Sequence, residues 1–216
     1  MSDKNIIHLT IGPIMTNCWI YQYDDNNAIV IDPGDEADAI ISSLEKSGLS
    51  LMYILLTHGH FDHIGAVPNL KKKYGNAKIA IHHLDSDYLG RNAYETQSKS
   101  AAAALGDASF IDSLWPSGKD GLPPADVLLE DGETIGPFKV LHLPGHTQGS
   151  AAFWDKKAGI LFTGDTLFKN GYGRTDLPGG SDNDMETSLR RLFDMDGEIV
   201  VYPGHGKTTT IGREAR

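Results

Sequence analysis

"LLTHGHFDHIG", Leu55 to Gly65, gathers three histidines and an aspartate into the positions from His58 to His63, directly after an apolar run. The residues "MYILLT" before them have the composition of a buried strand. Such a strand delivers His58 to its C-terminal end, where α/β-type sheets place their sites. Gly59 removes a Cβ at the turn, so His58 and His60 can face one point. Asp62 and His63 follow at the expected start of a helix and, being neighbours in the chain, need not aim at that same point. The spacing suits two adjacent cations better than one, and chance surface histidines would rarely collect four donors at a strand end.

Four donors cannot close two coordination spheres, so further ligands are expected downstream. "LPGHTQGS" puts His146 after the strand-like "KVLHL". "ILFTGDTLF" puts Asp165 past a second apolar run, and "VVYPGHGKT" puts His205 past a third. Each repeats one grammar of apolar strand, glycine, then donor. A lone histidine is more often structural than a ligand, but the repetition makes these three strong candidates. His82 and His83, ending "KIAIHH", are expected to pack or hydrogen-bond, and His142 to support the site at most. His8 has no partner legible in the sequence. Asp32, at the end of "VIDPG", divides evenly between orienting a ligand histidine and a purely structural role.

Short β-like runs recur along the chain: "IIHLTI", "NCWIYQY", "AIVID", "MYILLT", "AKIAI", "KVLHL", "SAAFW", "GILFTGD" and "EIVVYPG". They are rich in Ile, Val, Tyr and Phe and stop at Gly, Asp or Pro. Helical spacing is expected over Glu36–Gly48, Ile64–Tyr74 and Asn183–Phe193, and "SKSAAAALG" reads as a helix. Two similar β-rich halves with helices outside follow, within one domain over residues 1–216. An insert around 84–124 breaks the rhythm as a lid or as surface decoration. Tyr88, Tyr94, Phe110 and Trp115 either wall a pocket there or pack the insert onto the body.

The net charge of −10, with no basic stretch longer than Lys71–Lys73, argues against a nucleic-acid partner. A single cysteine, Cys18, fits a reducing compartment. The N-terminus shows no signal-peptide pattern, and runs such as "LMYILL" are too short to cross a bilayer, so a cytoplasmic protein without a membrane partner is expected. Oligomeric state is not encoded in any feature of the sequence.

Taken together, "THGHFDHIG", "PGHTQGS", "GDTLF" and "YPGHG", with the opening "GPIMTNCWIY" and "VIDPG", resemble the metallo-β-lactamase superfamily over nearly the whole length. The resemblance implies an α/β (α+β) architecture, the four-layer αββα sandwich, with metals at one edge between the sheets. Carried over by position, it implies that His58, His60 and His146 hold one metal, that Asp62, His63 and His205 hold a second, and that Asp165 bridges them. No cysteine stands at a ligand position, unlike the β-lactamases that use a thiolate. Asp62, and His60 in place of a glutamate, also depart from the flavodiiron branch.

A zinc-type ion lowers the pKa of bound water from 15.7 to about 7, and a pair about 3.5–4 Å apart can share the resulting hydroxide. Two divalent ions are expected, zinc first, with iron or manganese equally compatible with His and Asp donors. Asp62 would aim the hydroxide as the catalytic carboxylate, and no G-x-S-x-G elbow offers a serine instead. "LFKNGYGRTDLPGGS" is similar to the glyoxalase II group, which implies a hydrolase of small-molecule thioesters such as hydroxyacylglutathione. In that likeness Arg174 would grip a glutathione carboxylate, with Tyr172 beside it; Lys207 is expected to be a solvated lysine before a second cation for the substrate. Arg174 pairing with Asp176 or Asp182 is the competing expectation. The chain stops soon after His205, as the short members do, without the C-terminal helical domain of full-length glyoxalase II. "GYGRTDLPGG" also resembles the persulfide dioxygenases, whose single iron would here take His58, His146 and Asp165.

Overall fold

The computed structural model describes residues 5–109, 111 and 122–215; Phe110 and Trp115 lie outside the described residues. Two six-stranded sheets form the centre of the molecule. The first runs β1 (Ile6–Ile11), β2 (Thr16–Gln22), β3 (Asn27–Ile31), β4 (Ser50–Leu55), β5 (Lys78–His82) and β6 (Val127–Leu129), in that order across the sheet. The second holds β7 (Thr134–Ile135), β8 (Phe138–His142), β9 (Ala151–Asp155), β10 (Ile160–Gly164), β11 (Val200–Pro203) and β12 (Thr209–Thr210), again in chain order. Helices α1 (Ala37–Ser47), α2 (Phe61–Ile64), α3 (Val67–Lys73) and α4 (Ala93–Leu105) belong to the first half, and α5 (Asp182–Phe193) and α6 (Ile211–Glu214) to the second.

Period-two alternation explains the layering. Along β2 and β3, Ile20, Ala28 and Val30 join a cluster with Ile40 and Leu44 of α1 and Val67 and Leu70 of α3. Their neighbours Trp19, Tyr21, Ile29 and Ile31 point the other way and meet Phe138, Val140, Phe153 and Phe162 of the second sheet. Leu141, Leu161 and Val201, on the far face of that sheet, pack with Leu192 of α5 and Ile211 of α6. Alternate residues of one strand therefore feed two different cores, which is why both sheets read as near-continuous apolar runs. Three cores between four layers make the αββα sandwich, as expected.

Local departures have local causes. The helix expected over Ile64–Tyr74 is two pieces, because the turn at Gly65 and Ala66 falls between α2 and α3, and Pro68 then sits in the first turn of α3, where its missing N–H costs nothing. β6, β7 and β12 are two or three residues long, too short to show alternation. α4 begins at Ala93, five residues before the stretch "SKSAAAALG" that announced it. The segment between β5 and β6 carries two 3-10 turns, His83–Tyr88 and Gly90–Asn92, ahead of α4. In it Tyr88 is buried beside His60, whereas Tyr94 packs against the helix-side core. No helix among the described residues is long and apolar enough to cross a membrane.

Candidate metal centre

β8, β10 and β11 run in one direction, since β9 is antiparallel to both β8 and β10 and β11 is parallel to β10. Their C-terminal ends therefore present His146, Asp165 and His205 at one edge of the sandwich. In the other sheet β4 ends just before His58, at the same edge. All seven sequence candidates meet there. One ligand atom each from His58, His60 and His146 lie within 4.8 Å of one another, and the same holds for Asp62, His63 and His205 and for His58, His63 and Asp165.

Asp165 stands between the two trios. Its Oδ2 lies 3.6 Å from His146 Nε2 and 3.5 Å from His205 Nε2, and its Oδ1 lies 3.4 Å from His63 Nε2. His63 Nε2 and His205 Nε2 are each 3.4 Å from Asp62 Oδ2. His60 Nδ1 and His146 Nε2, two ring nitrogens, approach to 2.8 Å. His58 Nε2, His63 Nε2 and Asp165 Oδ1 are buried with no hydrogen-bond partner. Buried polar atoms are almost always satisfied, so several orphans at one point mark a place built for something else. Imidazole nitrogens and carboxylates at this spacing fit divalent cations, and the donor set suits zinc, iron or manganese alike.

The far sides of the rings are fixed. Asp32 accepts from Thr57 N at 2.8 Å and Thr57 Oγ1 at 2.7 Å, and its Oδ2 lies 3.0 Å from His63 Nδ1. Asp32 thus orients a candidate ligand, with its backbone held at φ 52°, a conformation that Asp tolerates better than most residues. His146 Nδ1 donates to the Arg174 carbonyl at 2.7 Å, and Thr16 Oγ1 donates to Asp62 Oδ2 at 3.0 Å.

The trios differ in charge. Burial and the surrounding imidazoles hold His58 well below the usual histidine value and push His60 down to about 3. Burial acts on His63 in the same sense, but Asp62, Asp165 and Asp32 outweigh it and raise it to about 10. Burial would raise Asp62; His63 and His205 overcome that and hold it well below the usual carboxylate range.

One organising residue carried no sequence signal. Asp85 is buried and accepts from Gly59 N at 2.9 Å, Gly149 N at 2.7 Å and Thr147 Oγ1 at 2.7 Å. It ties the His58–His60 turn to the His146 loop, and burial raises its pKa. Gln97 of α4 donates to the Gly59 carbonyl at 2.6 Å. Gly59 is required for a reason other than the turn: a Cβ there would sit 2.2 Å from the Tyr88 ring. At Gly204 a Cβ would lie 2.2 Å from Asp165 Oδ1, so the backbone itself walls the centre. His8, lacking a legible partner, stacks on Trp19 at 4.1 Å, and its Nε2 lies 2.7 Å from Asn17 Oδ1.

A cavity of about 300 Å³ opens over the donors, lined among others by Ile14, Leu105, Phe168, Arg174 and Leu177. Arg174 reaches it, but its guanidinium is held by Asp176 through bonds of 2.7 and 2.8 Å, the competing expectation. Tyr172 is 57% exposed and outside the lining. Lys207 does not face this cavity either; it lines a separate groove of about 570 Å³ with Lys169, His8 and Trp19. The reason is Gly206, whose positive φ of 76° turns the chain away after His205.

The sequence matches the Metallo-beta-lactamase superfamily over residues 11–205. The chain belongs to that superfamily. It is a metallo-hydrolase of this kind, in a family that binds divalent metals. It is 36% identical to hydroxyacylglutathione hydrolase GloC of Haemophilus influenzae, over 98% of this chain and 95% of the relative. Among solved structures, TTHA1623 in a di-iron-bound form superposes with a TM-score of 0.81 at 37% identity, covering 97% of each chain. The BLEG-1 B3 metallo-beta-lactamase gives 0.81 at 34% identity, covering 97% of this chain and 95% of that one. ETHE1 from Myxococcus xanthus gives 0.73 at 25%, covering 98% and 81%.

Proposed function

We propose that this protein hydrolyses small-molecule thioesters, of which hydroxyacylglutathione is the best-supported substrate, with two divalent cations. The observation that carries the reading is the pair of trios sharing Asp165, joined to the 36% identity with a hydroxyacylglutathione hydrolase. His58, His60 and His146 would hold one cation, Asp62, His63 and His205 the second, and Asp165 would contact both. Cations bound there would supply water activated at neutral pH and stabilisation of charge developing on the carbonyl oxygen.

The chain's own groups do the remaining work. Asp62, kept ionised and steadied by Thr16, would accept a hydrogen bond from the attacking water and aim it at the carbonyl carbon. As the carbon–sulfur bond breaks, the acid and the thiol leave, the water's second proton going to sulfur. Ile14, Leu105, Phe168 and Leu177 give the cavity apolar walls that exclude bulk water from the acyl group. Arg174 would meet a substrate carboxylate only by exchanging Asp176 for it, which makes its contribution to affinity small. Lys207 would act only on a substrate long enough to reach the groove beyond His205.

The test is thioester cleavage by the zinc-loaded protein, followed as release of free thiol from lactoylglutathione. Turnover that disappears in His58→Ala supports the reading; no release from any acyl-glutathione contradicts it. The likeness to ETHE1 favours a second reading, a persulfide dioxygenase with one iron at His58, His146 and Asp165. One iron per chain with oxygen uptake on glutathione persulfide would replace the first reading by the second. Against it stands the trio of Asp62, His63 and His205, which a single-iron site leaves unused.

A further inference from the structure

β5 ends at the same edge of the first sheet as β4, one strand over, and the residues that leave it are His82 and His83. The last ladder pair between β5 and β6 is His82 with Leu129, so the next positions along, His83 and Glu130, also face each other. His83 Nδ1 lies 3.0 Å from Glu130 Oε1, yet that nitrogen is buried and makes no aligned hydrogen bond. One ligand atom each from His82, His83 and Glu130 lie within 4.8 Å of one another. None of the three belongs to the centre described above.

We propose that His82, His83 and Glu130 form a third cation site, separate from the two trios, that takes a transition-metal ion such as Zn²⁺ or Ni²⁺. Two imidazoles and a carboxylate are the donors such ions prefer, and three protein ligands on a partly exposed edge leave a position for water. The surroundings fix the donors. His142 stacks on His82 at 4.0 Å and 9°, with its own Nε2 donating to the Gln148 carbonyl at 2.8 Å. Asp131, next to Glu130, is occupied by Arg191 at 2.8 Å, which leaves Glu130 as the carboxylate facing His83.

The position gives the ion a consequence. His83 opens the segment that leads to α4, and Glu130 follows the strand to which that segment returns. α4 brings Ser100, Ala104 and Leu105 to the cavity and holds Gly59 through Gln97. An ion between His83 and Glu130 staples the root of this segment and stiffens one wall of the cavity.

Protein loaded with metal and freed of excess has its tightly held ions counted, is then dialysed against increasing Zn²⁺, and separately Ni²⁺, and bound metal is counted again by elemental analysis. Wild type takes up one further equivalent, with a rise in melting temperature over the same concentration range. His83→Ala and Glu130→Gln, at a half-buried and an exposed side chain, weaken that uptake about ten-fold or more while keeping the same number of tightly held ions as wild type. No further equivalent in wild type, or the same uptake in wild type and both variants, overturns the site. The count is independent of catalysis, so it stands whether or not the thioesterase reading does.

Discussion

The two trios at the metal centre are built from similar parts and differ in state. His58, His60 and His146 form an all-imidazole group in which burial keeps His58 and His60 free of protons at neutral pH. Asp62, His63 and His205 mix carboxylate and imidazole, and there the acid groups hold a proton on His63 up to about 10. His58 and His60 need lose no proton to take a cation. The second must release at least one proton to accept one, so its loading depends more steeply on pH. Neighbouring sites of one fold can thus differ in how they compete with protons, and the Asp165 carboxylate lies beside histidines of both.

The largest effect is expected where the trios join. Asp165→Ala removes the carboxylate that touches His146, His63 and His205 together, so both cations and about a thousand-fold or more of thioesterase rate should be lost. Elemental analysis that still finds two tight ions in this variant would break the idea of a shared ligand. His60→Ala should empty only the first trio.

Asp32→Asn sharpens the comparison from the other side. The buried carboxylate 3.0 Å from His63 Nδ1 sets the orientation of that ring, and such supporting contacts are worth about 10–100-fold in metal affinity. The second trio should weaken by that factor while the first keeps its ion, read by competition with a chromophoric chelator.

Asp85→Ala tests the scaffold under the first trio. It strands the buried N–H groups of Gly59 and Gly149 at about 1–3 kcal/mol each, so a melting temperature lower by several degrees is expected. Unchanged thermal stability would remove Asp85 from its organising role.

The smallest effect is the pH dependence of the chelated protein. His58 and His60 have folded-state values below the unfolded value of about 6.5, so the unfolded chain binds more protons at acid pH and stability falls as pH drops below that. His63 is shifted upward, so its stabilisation is complete below about 6.5 and fades as pH rises toward about 10. Melting temperature in chelator should therefore peak near neutrality and decline on both sides. A monotonic rise from acid to alkaline pH would show that His63 carries no extra proton.

Much of this was legible beforehand because strand ends announce themselves. Apolar runs followed by glycine and a donor located β4, β8, β10 and β11 and all seven donors, since the fold needs small residues where backbone passes the centre, as at Gly204. Asp85 was not legible: it lies in a 3-10 turn with no periodicity, and two of its three partners are backbone N–H groups that any sequence supplies, the third being the Thr147 hydroxyl. Lys207, read as a solvated lysine before a second substrate cation, lines a groove apart from the cavity, because adjacency to His205 in the chain says nothing of direction once Gly206 has turned the backbone. Arg174 read ambiguously as substrate grip or ion pair, and in the structure Asp176 two residues on holds its guanidinium.

Crystals of the metal-loaded protein, with anomalous scattering used to place the cations, measure the central proposition most directly. Two ions are expected, one against His58, His60 and His146 and one against Asp62, His63 and His205, with Asp165 touching both. A single ion held by His58, His146 and Asp165, with no ion against Asp62, His63 and His205, would contradict it.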